Sequence, residues 1–232
     1  MQRKKKGRRD RWSYIKEALM ERKAPRRTKE RILEVSLAMF NSFGEPNVTT
    51  NAIADEMNIS PGNLYYHYRS KDEIVTKIFA QFERELDELF AIGKDRPANV
   101  EDTWFWLHLL FEKIWKYRFI YRDLNDLLSK NRIIETHFKT ILQNAQKNTE
   151  RLMLEMRSIN ELKATDNEIH AVATNLVMVT TYWHSYSYVM NPRKLDEANA
   201  MGQGVFQVMV LLAPYLEGDA RLLFEKLAGE YR

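Results

Sequence analysis

Cysteine is absent from this 232-residue chain, which excludes disulfides, thiolate metal sites and a cysteine nucleophile. Glycine and proline are scarce, eight and six in all, too few for a turn-dense sandwich, a barrel or a low-complexity segment. No apolar run approaches the twenty or so residues that a bilayer crossing needs. The charged opening Met1–Arg11 is not followed by the apolar segment of a signal peptide, so a soluble cytoplasmic protein is expected. Persuasive strand alternation and internal repeats are missing too. What remains is 44% hydrophobic and 12% aromatic, enough for a substantial core in one or two domains.

Catalytic signatures are equally scarce. The five histidines, 67, 108, 137, 170 and 184, show no metal-ligand spacing. There is no G-x-S-x-G, Gly-rich phosphate loop or HExxH. Isolated carboxylates such as Glu112, Asp126 and Glu135 read as charges on helix surfaces. No enzyme, metal or cofactor is expected.

Charge is unevenly spread behind a formal net of +4. Residues 1–27 hold twelve Lys or Arg against three acids, a net of +9, which leaves −5 for the remainder. Within this arm Trp12, Ile15 and Leu19 recur at helical spacing until Pro25, so a short basic amphipathic helix is one reading. A solvated tail is another, and Met20 as the true start a third. If the arm neutralises phosphates, it supplies what residues 28–78 lack, with five bases against seven acids.

From Thr28 the signals sharpen. A helix carrying Ile32, Val35, Met39, Phe40 and Phe43 ends at Gly44. Thr49–Met57 reads as a short helix with Thr49 or Thr50 as its cap, Asn58–Ser60 turns, and Ser60-Pro61 starts a second one with a cap and a proline at its first position. Two short helices on a three-residue turn make a helix-turn-helix, whose second member enters the major groove. Gly62, Asn63, Tyr65, Tyr66 and His67 on that second helix fill a core poorly and suit DNA well. Ser70 then caps a long helix with its apolar stripe at Ile74, Ile78, Phe82, Leu86 and Leu89. The reading is all-α: an arm (1–27), a three-helix head (28–75) and a larger helical body (76–232).

In the body, helices are expected over about 100–117, 119–129, 132–160, 167–190, 198–216 and 219–231. Leu176, Trp183 and Met190 repeat every seven residues, with Ala173, Thr180 and Ser187 beside them, and Met201, Val205, Val208, Leu212 and Tyr215 form a second stripe. Small next to large lets helices approach closely. Aromatics crowd residues 104–121 and 182–188.

The run Val48-Thr49-Thr50, Ile53-Ala54, Ile59 to Tyr68 and Ser70-Lys71-Asp72-Glu73 resembles the DNA-binding head of the TetR/AcrR family of bacterial transcriptional regulators. The resemblance implies a homodimer on a palindromic double-stranded operator, released by a small apolar or amphipathic effector, most often as a repressor. It implies phosphate contacts for Thr49, Thr50 and Lys71. Gly62 would allow close backbone approach, Asn63 would read a base, and Tyr65, Tyr66 and His67 would contact phosphate, sugar or thymine methyl. Pro61 stands where many relatives carry Lys or another polar residue, so one base contact is lost. Phe111, Trp115, Tyr121, Asn125, Tyr182 and Tyr186 are expected to line the effector cavity. The dimer face is expected at Ala173, Leu176, Thr180, Trp183, Ser187, Val205, Val208 and Leu212. Two other readings stay open: a membrane-surface adaptor working through the basic arm, and a DNA-binding regulator with a solid core and no effector.

The arm supports a quantitative expectation. If residues 3–11 meet phosphates, deleting them flattens the dependence of log K on log salt by about 0.9 per lost contact. An unchanged slope in a salt titration of DNA binding would make the arm a bystander.

Overall fold

A computed structural model describes residues 28–91, 96–190 and 197–229, the side chains of 197–199 excepted. The basic arm, with Trp12, Ile15 and Leu19, lies outside the described residues. Two compact units divide between Ile74 and Val75. The described residues contain helices and no strand, only an isolated bridge between Leu162 and Leu216, so the all-α expectation of a helix-turn-helix head and helical body holds.

The head begins with α1 (28–43), which runs into Gly44 at φ 88° and a 3-10 turn over Glu45–Asn47. Helices α2 (Thr50–Glu56) and α3 (Pro61–His67) follow, and then the first turn of α4 (Lys71–Phe90). The face α1 buries is Ile32, Leu33, Ser36 and Phe40. Val35 and Met39 are only half-buried and Phe43 is exposed, so the expected apolar stripe is rotated by a fraction of a turn. Val48, Ile53, Ala54, Met57, Leu64 and Tyr68 complete this small core. In the turn between α2 and α3, Asn58 takes a left-handed φ of 55°, which asparagine tolerates better than most residues. Its N–H and that of Ile59 donate to the carbonyls of Asp55 and Ala54.

The body comprises the rest of α4, then α5 (Val100–Lys116), α6 (Arg118–Arg122), α7 (Leu124–Lys130), α8 (Arg132–Ser158), α9 (Asp166–Met190), α10 (Glu197–Leu212) and α11 (Gly218–Gly229). The single helix expected over 119–129 is broken at Asp123 into α6 and α7. Capping is explicit: Asn99 and Asp102 form a reciprocal box at α5, and Asn131 accepts from Ile133 and Ile134 at α8. Helix α10 lies against α5 and α9. A Cβ placed on Gly204 would fall 2.7 Å from the Trp183 ring and closer still to Phe111, so only glycine allows this approach.

Body residues of α4 are tied to their neighbours by rings on one side and charges on the other. Phe82 meets Tyr117 and Tyr121, and Phe79 meets Phe138. Glu85 accepts from Lys116 at 2.6 Å, Tyr117 at 2.7 Å and Lys113 at 3.0 Å. Burial alone would raise the pKa of this carboxyl, but those hydrogen bonds and the Lys116 charge outweigh it and lower it to about 2. A folded-state pKa below the ordinary 4.5 stabilises the protein above that value, and the stabilisation is lost as pH falls from about 4.5 to about 2. Urea titrations of wild type and Glu85→Gln across this range are expected to show a shallower acid decline in the variant; parallel declines would show the cluster to be idle.

Candidate nucleic-acid interface and body cavity

Each of α2 and α3 is seven residues long, too short to persist alone, so caps and anchors hold them. The Thr49 hydroxyl accepts from the N–H of Ala52 at 3.1 Å, and that of Ser60 accepts from Asn63 at 3.2 Å. Pro61 occupies the first position of α3, where no N–H is needed. Inward, Leu64 is wholly buried and Tyr68 is 1% exposed. Tyr68 donates to the Lys29 carbonyl at 3.2 Å, and burial, together with Glu73 and Glu30, pushes its phenol up to about 12. Tyr68 is a core residue.

The remaining α3 side chains point outward. Tyr66 is 83% exposed and Tyr65 46%, Asn63 is exposed and His67 half-buried. Tyr66 and His67 meet edge to face at 5.2 Å, and the Tyr65 hydroxyl lies 2.8 Å from that of Thr50, joining the start of α2 to the later half of α3. At Gly62 an added Cβ would meet nothing nearer than the Ser60 hydroxyl at 3.9 Å. Packing therefore does not require glycine here, although alanine would suit a helix better by about 0.5–1 kcal/mol.

Lys71 is engaged within the head. Its ammonium lies 2.8 Å from the Glu45 carboxylate and donates to the Glu45 carbonyl at 3.0 Å. The Glu45 side chain is only 6% exposed, and a carboxylate so placed needs its cation. Lys71 thus locks the loop after α1 to the start of α4.

In the body, α4, α5, α6, α8, α9 and α10 line a narrow apolar cavity of about 50 Å³. Of the six residues expected to line it, only Tyr121 does so. Phe111 is buried against Gly204. Trp115 sits beneath the Arg118 guanidinium at 4.7 Å and meets the His184 ring at 5.7 Å. Burial, with Arg118 and Arg122 nearby, depresses the His184 pKa to about 4, so this imidazole is neutral. Asn125 and Tyr186 are exposed, and Tyr182 borders an open groove between α8 and α9. Sequence reasoning missed the walls from α4 and α8, among them Leu86, Phe90, Phe138 and Met156. Their apolar spacing was visible, but it does not distinguish a cavity wall from solid core.

The expected dimer face is corrected at five of its eight residues. Ala173, Leu176, Val205, Val208 and Leu212 are buried within the single chain, and Trp183 donates to the Ala200 carbonyl. Thr180 and Ser187 are half-buried. The five buried members serve packing within the protomer. The outward stripe of α9 is instead Met178, Tyr182, Tyr186 and Val189, 54%, 51%, 57% and 75% exposed.

Among the described residues no cluster of three His, Asp or Glu is placed for a metal, and no helix is long and apolar enough to cross a membrane.

Comparison with known proteins agrees with this geometry. Residues 32–78 match the family described as bacterial regulatory proteins, tetR family, and residues 81–224 match TetR, bacterial transcriptional repressor. A crystal structure of a TetR-family transcriptional regulator from Marinobacter aquaeolei is similar at 33% identity and TM-score 0.81, covering 88% of this chain and 98% of that one. The HTH-type transcriptional repressor KstR2 of Mycobacterium tuberculosis is 41% identical over 64 residues, 28% of this chain and 30% of KstR2. The chain therefore matches under a third of that relative's length. The solved structure of the same regulator, at 21% identity and TM-score 0.63 over 82% of this chain and 96% of that one, shares the fold.

Breaking the Lys71–Glu45 pair tests its structural role. Lys71→Ala removes the ammonium that pairs with the buried Glu45 carboxylate and is expected to cost up to about 3 kcal/mol in urea unfolding, with Lys71→Met/Glu45→Gln costing less. A stability equal to wild type would return Lys71 to a solvated or DNA-facing role.

Proposed function

The chain belongs to the TetR family of bacterial regulatory proteins, DNA-binding transcriptional regulators rather than enzymes, and from that premise we propose that it is a homodimeric repressor released from a near-palindromic operator by a small effector. The observation that carries the DNA reading is the outward face of α3. Gly62, Asn63 and Tyr66 answer no demand of the fold, whereas their neighbours Ser60, Leu64 and Tyr68 are committed to holding the helix. In this reading Asn63 pairs with a base edge, and Gly62 brings the α3 backbone close to the DNA. Thr50, Tyr65, Tyr66 and His67 meet phosphate and sugar, and phosphate contacts fix position while base contacts specify sequence. Thr49 serves α2 as its cap in either case.

A two-fold dimer presents two such helices about one turn of DNA, or a multiple, apart. The exposed apolar stripe Met178, Tyr182, Tyr186 and Val189 on α9 supports this face as the protomer contact. Effector control rests on the body cavity. Leu86 and Phe90 of α4 line it, and α4 begins at Lys71, directly after the recognition segment. A ligand that parts the cavity displaces α4 and so favours a dimer whose recognition helices no longer match the operator spacing. Release then follows from the ligand's differential affinity for the two forms.

Selection from a random duplex pool tests the reading. Wild type is expected to enrich a two-fold symmetric motif, while Tyr182→Glu/Tyr186→Glu sediments as a monomer and enriches none. An asymmetric motif, or none from wild type, would contradict the dimeric operator reading. A variant that stays dimeric would move the contact elsewhere.

A further inference from the structure

The polar groups around the body cavity can be accounted for one by one. No Asp, Glu, Lys, Arg or His is among the described residues that line it. The hydroxyls of Thr103, Thr149 and Thr181 donate to the carbonyls of Asn99, Ala145 and Val177, each four residues back, and the Trp106 N–H donates to the Leu89 carbonyl. Two hydroxyls remain, those of Tyr121 and Thr180, which have no hydrogen-bond partner among the described residues. Tyr121 is 5% exposed, with its ring held edge-on by Phe82 at 5.8 Å and Phe138 at 6.0 Å. Burial alone raises its phenol pKa, as expected where no partner faces the oxygen. A buried hydroxyl left unmatched is destabilising unless something else bonds it.

Resting on the effector reading above, we propose that the cavity selects uncharged, largely apolar molecules with one hydrogen-bonding group, anchored by the Tyr121 hydroxyl. A charged head would be stripped of water with no counterion in the wall, a loss the apolar contacts do not offset. A ligand needs several hundred Å³ where about 50 Å³ is free. It must therefore push the walls apart, and Met153 and Met156 are adaptable members of them. The pressure is shared by Leu86 and Phe90, which makes ligand size part of the response.

The test uses the full chain and three probes at pH 8: 1-decanol, decanoate and butylbenzene, followed by intrinsic tryptophan fluorescence with Trp106 in the wall. Decanol is expected to bind saturably and decanoate at least about 100-fold more weakly. Tyr121→Phe removes an unmatched hydroxyl and so should fold like wild type. It is expected to weaken decanol about three- to tenfold while leaving butylbenzene unchanged. Decanoate binding as tightly as decanol would overturn the uncharged class. An equal loss for butylbenzene, or no loss for decanol, would overturn the Tyr121 anchor. Binding of no probe would remove the effector reading itself, and the inference with it.

Discussion

A helix of seven residues does not hold itself together in water, and the candidate recognition helix α3 is that short. Everything that fixes it comes from its two ends and its inward face. Ser60 caps one end, Asn58 turns the chain in a left-handed conformation before it, and Leu64 and Tyr68 are sunk into the core. Because a few positions carry most of the task, Gly62, Asn63 and Tyr66 are released from it. The exposed glycine, amide, phenol and imidazole of α3 are a consequence of that division. The Lys71–Glu45 pair extends the same logic, since it pins the segment that follows α3 to the loop after α1.

The body solves a different problem with the same chemistry. Long helices supply more apolar surface than their neighbours need, and close approaches such as that of Gly204 to Phe111 absorb part of it. Where packing stops short, a narrow apolar cavity is left, with nearly all its polar groups matched. Charges are kept out of the cavity wall: Glu85 gathers Lys113, Lys116 and Tyr117, and Glu83 bonds His137 of α8 at 2.8 Å. This separation of a charged clamp from an uncharged wall gives the cavity its selectivity in the reading advanced above.

How much of this could be read from residues alone follows from how local each determinant is. The helix-turn-helix was legible because cap, proline, turn and buried leucine all lie within ten residues and agree with one another. The pairing of Lys71 was not legible because its partner lies 26 residues away, and nothing in the sequence marks Glu45 as buried. The seven-residue stripes of α9 were real, but periodicity tells which side chains share a face, not what covers it. Ala173 and Leu176 face the protomer's own core, while Tyr182 and Tyr186, assigned to the cavity for their aromaticity, stand outside it. A cavity wall assembled from six helices has no local signature, and Tyr121 was its one correctly chosen member.

The central claim is that the outward face of α3 is shaped for a partner and not for the fold, and Gly62→Ala tests it most directly. Its stability and its affinity for the duplex that wild type selects are measured together, with Tyr66→Ala alongside. The account expects Gly62→Ala to be at least as stable as wild type, because alanine favours a helix. Tyr66→Ala should stay within about 0.5 kcal/mol of wild type, and both variants should bind the duplex at least about tenfold more weakly. Unchanged affinity with the same stabilities would contradict it, leaving α3 a scaffold and placing recognition elsewhere in the chain.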